Sequence, residues 1–145
     1  MTEAQTLKTL QLFYAGALVD AVRQYQSFGI LDQVIEKKRR EQEATAPEQL
    51  SRLGITTPEA LFSTFSSIFG CASWTMENDG TVFRAKSATC LACAIAKKLG
   101  APSPCAISCI NPFTGMAKAL PEPRALNVRE TLWDGGACVF ELEKL

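Results

Sequence analysis

From Leu7 to Tyr25 the apolar positions Leu7, Leu10, Tyr14, Ala17, Leu18, Ala21, Val22 and Tyr25 recur at intervals of three and four. That spacing draws one stripe down an α-helix. Beyond Ser27-Phe28-Gly29, the positions Ile30, Leu31, Val34 and Ile35 begin a second helical stripe, which runs into a charged segment from Glu36 to Glu43. In that segment Glu36 and Arg40, Lys37 and Glu41, and Arg39 and Glu43 stand four apart, the spacing for pairing along a solvated helix face. Pro47 is expected to open a separate short helix. Thr57-Pro58-Glu59 reads as another helix start, with a threonine cap, proline in the first turn and an acid near the positive end. Leu61, Phe62, Phe65, Ile68 and Phe69 then form an apolar face that Gly70 ends.

The pattern changes at Cys71. Ala72 to Met76 and Thr81 to Ala85 flank Glu77-Asn78-Asp79-Gly80, which predicts a β-hairpin. A second hairpin is predicted from Asn127 to Trp133 and Ala137 to Leu142, joined at Asp134-Gly135-Gly136. Two short helices fall between the hairpins. There is no internal repeat and no low-complexity linker, so the expectation is a single α+β domain over residues 1–145. Residues 1–70 would form a helical layer packed on an antiparallel sheet of about four strands. Residues 71–145 would form a ββααββ layer, with two cysteine-bearing helices between the two β-hairpins.

Composition narrows the functional classes. Hydrophobic residues make up 47% of 145, enough for a core without disulfide or metal staples. Fifteen basic residues balance fifteen acidic ones, so no overall field recruits nucleic acid or anionic lipid. No window reaches the roughly 18 apolar residues of a membrane span, and the amino terminus lacks the basic and apolar regions of a signal peptide. The expectation is a soluble, cytoplasmic protein with reduced thiols, working on a small-molecule ligand or substrate; a homo-oligomer is compatible with these features.

Six cysteines are the chemistry-bearing residues. Cys90 and Cys93 stand three apart and Cys105 and Cys109 four apart, so each pair shares a face of its helix. If the two faces turn together, four thiols meet, and Cys90, Cys93, Cys105 and Cys109 become candidate ligands for zinc or an iron–sulfur cluster. Ser87 is expected to cap a helix with Cys90 in its third position, and Ser103-Pro104 one with Cys105 in its second. Both thiols would then feel the positive end of a helix dipole, which favours thiolate. Cys90 and Cys105 are therefore the candidate nucleophiles. Cys71 and Cys138, alternating with apolar residues along strands, are expected to pack in the core.

The chain has no histidine. A Cys–His dyad and a Ser–His–Asp triad are thereby excluded, and a thiol would depend on a helix start, a basic side chain or a carboxylate. Lys86, Lys97, Lys98 and Arg129 are the nearby bases in sequence. Glu130, Asp134 and Glu141 are the carboxylates of the closing hairpin, with Glu130 the candidate proton-handling group.

The segment from Cys90 to Cys105, with Leu99-Gly100-Ala101-Pro102 before the second thiol, then Cys109, then the run Arg129 to Phe140, resembles the L-2-amino-thiazoline-4-carboxylic acid hydrolase-like family. The likeness covers about Thr81 to Leu142, and the closing hairpin is also similar to that of 4-vinyl-reductase-type small-molecule-binding domains. It implies functional thiols at Cys90, Cys105, Cys109 and Cys138, and hydrolytic opening of a cyclic amidine or thiazoline ring. Asn111 stands where the family pattern leads one to expect an aspartate, and Cys93 is an additional thiol. Two functions therefore stand side by side. One is a C–N hydrolase with a cysteine site. The other is a metal- or small-ligand-binding module built on a four-cysteine cluster.

Overall fold

A computed structural model describes residues 1–145. Three helices come first: α1 (Glu3–Ser27), α2 (Leu31–Leu53) and α3 (Pro58–Phe69). Thr2 and Gln5 close a reciprocal capping box on α1, each side chain taking the other's backbone N–H. Thr57 caps α3 by accepting from the amide of Ala60 at 3.1 Å, and Gly70 ends it in the left-handed conformation. The charged run of α2 is a paired surface. Arg39 bridges Glu36 and Glu43, Lys37 approaches Glu41, and Arg40 approaches Glu36.

Pro47 does not open a separate helix as expected; α2 runs through it unbroken. The proline is exposed, so water can take up the carbonyl that its missing N–H leaves without a partner.

The second half is α+β, and its sheet is antiparallel throughout. The strands β1 (Thr75–Asn78), β2 (Val82–Ser87), β3 (Arg124–Glu130) and β4 (Cys138–Lys144) lie in the order β1-β2-β4-β3. Both predicted hairpins thus exist, and they join through the pairing of β2 with β4. Between them lie α4 (Leu91–Leu99), a π-helical turn (Ala106–Ile110) and α5 (Asn111–Ala119). Burial alternates along β2, where Phe83, Ala85 and Ser87 turn inward while Arg84 and Lys86 face out. Phe83, Ala85, Phe140 and Leu142 of the central pair meet Leu61 and Phe62 of α3 and Phe113 and Met116 of α5 in the main core. Phe62 is its hub, with ring centroids 4.8 Å from Phe113 and 5.0 Å from Trp74. A smaller cluster of Val19, Ala96 and Ala101 seats α1 on α4.

The tightest helix contact is between α2 and α5. A Cβ added at Gly115 would stand 3.1 Å from the Cα of Glu43 and 3.4 Å from the carbonyl oxygen of Gln42. Backbone cannot yield there as a flexible side chain would. Gly115→Val is accordingly expected to cost about 1–3 kcal/mol, read as a lower urea midpoint with an unchanged slope; an unaltered midpoint would show that the helices separate freely.

Candidate functional site

Between the helical layer and the cysteine-bearing segments lies a cavity of about 230 Å³. Tyr14, Phe65, Phe69, Trp74 and Phe113 supply its aromatic walls, and four of the six thiols, Cys71, Cys90, Cys109 and Cys138, open into it. No acidic or basic side chain lines it. Its shape depends on α1 being fastened beside α3. Gln11 does this by donating to the carbonyls of Ser67 and Ile68 at the end of α3, at 3.3 and 3.1 Å. The Tyr14 ring then lies 4.9 Å from that of Phe69.

Cys90 occupies the start of α4, although Ser87 is not its cap. Ser87 pairs with Cys138 within the sheet, and its hydroxyl is engaged with the backbone of Thr89. Cys90 is itself the N-cap residue, with extended backbone, and its Sγ accepts from the amide of Cys93 at 3.5 Å. The Cys93 thiol, followed by the amides of Cys93 and Ala92, pulls Cys90 down to about 6 against the opposing effect of burial.

Ser103 performs the expected service for the second segment by accepting from the amide of Cys105 at 3.2 Å. The chain then enters a π-helical turn instead of a regular α-helix, and the amide of Asn111 reaches back to the carbonyl of Ala106. The cause lies in Pro112, which has no N–H for the carbonyl of Ser108 and whose ring crowds it. The widened turn faces Ile107, Ser108 and Cys109 into the cavity.

Cys93 and Cys105 are buried behind this wall with their sulfurs 3.6 Å apart, so the two helical segments do turn thiols toward each other. The Cys93 thiol lowers Cys105 to about 7, helped by the Ser103 hydroxyl, and is itself held strongly in its protonated form by Cys105 and Cys90. Cys93 carries one proton and can donate it to one neighbour at a time. The trio therefore favours one thiolate, shared in preference between Cys90 and Cys105, over two.

The remaining thiols are kept neutral. Burial pushes Cys71, Cys138 and, most strongly, Cys109 above the usual thiol range. Cys71, expected in a strand, lies in the irregular segment after Gly70 and walls the cavity instead of filling the core. Its carbonyl accepts the amide of Leu91 at 2.8 Å, a bond that ties this segment to the start of α4 beside Cys90.

No group of three or more Cys, Asp or Glu side chains is arranged to hold a metal ion. Cys90 and Cys109 face the cavity while Cys93 and Cys105 face each other, so the set Cys90, Cys93, Cys105 and Cys109 does not fit zinc or an iron–sulfur cluster.

The carboxylates are committed elsewhere. Glu130 accepts from the amides of Gly136 and Ala137 at 2.8 and 3.0 Å, clamping the closing turn outside the cavity. Glu141 bridges Arg84 and Arg129, and those partners hold its carboxyl below the usual range. Lys97 donates to the carbonyl of Leu132 at 2.7 Å and sits over the Trp133 ring.

Gln42 is a cavity residue that the sequence pattern does not single out. Its Nε2 donates to the carbonyl of Ile107 at 3.2 Å, which fixes the π-turn against α2, and its Oε1 is buried without a partner. Its sequence signal is weak, because it sits inside the charged run of a helix whose pattern there reads as a solvated face.

No protein-family model matches the chain, and no curated protein matches it. No helix is long and apolar enough to cross a membrane.

Proposed function

We propose that this protein binds a small, neutral, largely apolar electrophile in the cavity and attacks it with the Cys90 thiolate, as a hydrolase-like enzyme acting on a cyclic amidine or related ring. The observation that carries the reading is the position of Cys90. It is a thiol at a helix N-cap, open to an aromatic cavity and flanked by amide donors that favour its anion. The same amides of Ala92 and Cys93 are placed to stabilise negative charge that develops on an atom bonded to the attacked carbon.

The lining also sets the substrate class. With no Lys or Arg on the wall, a carboxylate-bearing ligand would lose its hydration without gaining a partner. A neutral thiazoline or amidine suits the site better than the amino-thiazoline carboxylate in the name of the resembling family. The unpartnered Oε1 of Gln42 and the hydroxyl of Ser108 offer the few polar contacts that orient a ligand among apolar walls. A module that binds such a ring without turning it over is the second reading, favoured by the absence of a carboxylate from the lining.

The test is thiol release at pH 8 from 2-methylthiazoline, whose weakly basic ring is uncharged there, followed with a chromogenic disulfide after quenching. Wild-type protein is expected to turn it over and Cys90→Ser to lose at least about 99% of the rate. Saturable binding without release would leave the binding module standing. Neither binding nor release would remove both readings.

A further inference from the structure

Neither Cys93 nor Cys105 bonds to substrate in hydrolysis by Cys90, yet the fold places them in contact behind the attacking thiol. Neither lines the cavity, and Cys93 is 3% exposed, so a ligand cannot reach it directly. Any chemistry at Cys93 must arrive through Cys90, whose Sγ accepts the Cys93 amide at 3.5 Å and whose anion the Cys93 thiol favours. Two thiols three residues apart at a helix start, the first open and the second enclosed, are placed for thiol–disulfide exchange.

We infer that Cys90, Cys93 and Cys105 form a dithiol redox centre that reduces a small apolar disulfide held in the cavity, with Cys90 attacking, Cys93 resolving and Cys105 accepting the Cys93 proton. The Cys90 thiolate attacks one sulfur of the bound disulfide R–S–S–R, forming Cys90–S–S–R and expelling RS⁻. Loss of the negative charge at Cys90 removes a repulsion that disfavours the Cys105 anion, so Cys105 gives up its proton, which the first expelled RS⁻ takes up by way of solvent. Cys93 then passes its proton across the 3.6 Å contact to Cys105 and attacks the Cys90 sulfur. A Cys90–Cys93 disulfide forms and a second RS⁻ leaves, taking up the proton held by Cys105. Two protein thiols are oxidised and one substrate disulfide is reduced to two thiols. Redox dithiols need a proton acceptor for the enclosed thiol, and no carboxylate stands in this cavity; a third thiol at hydrogen-bonding distance fills the role.

This centre rests on the same Cys90 thiolate as the proposed hydrolase, and one experiment separates the two. Reduced protein is mixed with one equivalent of 4,4′-dithiodipyridine, an aromatic disulfide suited to the apolar walls. Release of thiopyridone is followed by absorbance and the protein by mass spectrometry. Wild-type protein should release two equivalents and become two hydrogens lighter, with the crosslink in the tryptic peptide that carries both Cys90 and Cys93. Cys93→Ser should stop at one equivalent with the adduct retained on Cys90. Cys105→Ser should keep the first release and slow the second on the order of a hundredfold. A wild-type protein that keeps the adduct on Cys90, or that crosslinks other thiols, overturns the redox centre and leaves the nucleophile in place. A Cys90 that is not modified first overturns both. Because the wild-type mass decides the matter, misfolding of a variant would not shelter the inference.

Discussion

Alkylation of the folded protein with iodoacetamide is expected to label Cys90 first, at a rate that climbs through a midpoint near pH 6 and then levels off. The Cys93 thiol and the first-turn amides hold Cys90 at about 6, so half of it is thiolate at that pH. A thiol at the ordinary value near 8.5 is ionised there only on the order of one part in 300. A thiolate of lower pKa is a weaker nucleophile, which returns roughly a factor of 13 over two and a half pH units. The net advantage of Cys90 at pH 6 is thus about twelvefold, and larger still over Cys71, Cys109 and Cys138, which burial pushes upward. Peptide mass mapping across pH 5 to 9 gives the profile. Cys93→Ala should move the midpoint upward, because the strongest support for the thiolate is lost while burial still opposes it. A Cys90 midpoint near 9 in the wild-type protein would remove the electrostatic basis of the site.

The sequence points to two reactive thiols, and enclosure is what separates them. The Cys93 thiol and then the Ser103 hydroxyl favour ionisation of Cys105, the direction its position suggests, but the residue is 7% exposed and does not face the cavity. Local spacing reports the direction of a side chain within its own helix and says nothing of which neighbour covers it. The hairpins, the helix end at Gly70 and the apolar face of α3 were legible because each rests on a few adjacent residues. The cavity was not, since Tyr14, Gln42, Phe65, Cys90 and Cys109 come together only once α1, α2, α3, α4 and the π-turn have packed.

Pro112 illustrates the boundary between the two cases. Its disruption of an α-helix is a local property readable from the chain. That the helix answers with a π-turn, instead of ending, is tied to the seating of α5 against α2 at Gly115 and against the sheet through Phe113 and Met116. Glu130 shows the same boundary from the other side. An acid beside two glycines invites a catalytic reading, whereas the free amides of the turn, at Gly136 and Ala137, are the nearest donors and capture it.

Stability is expected to fall on the alkaline side, above about pH 8.5. Cys93, held protonated by Cys105 and Cys90, and Cys109 and Cys138, raised by burial, stay neutral in the folded chain. In the unfolded chain thiols ionise near pH 8.5. Above that pH the unfolded state has released protons that the fold still binds, so each of the three thiols costs up to about 1.4 kcal/mol per pH unit. Cys71, also raised by burial, acts in the same direction. Cys90 and Cys105 act in the other window. The one thiolate they share contributes stability that is complete above about pH 8.5 and is lost as pH falls toward about 6. Stability should therefore peak between about pH 7.5 and 8.5. Urea unfolding at pH 7.5, 8.5 and 9.5 in the presence of a phosphine reductant measures the slope directly. Cys109→Ala should lower stability at every pH through the space it vacates and reduce the alkaline slope. A profile flat to pH 9.5 would mean that these thiols ionise inside the fold, and the cavity wall would then be far wetter than its aromatic lining implies.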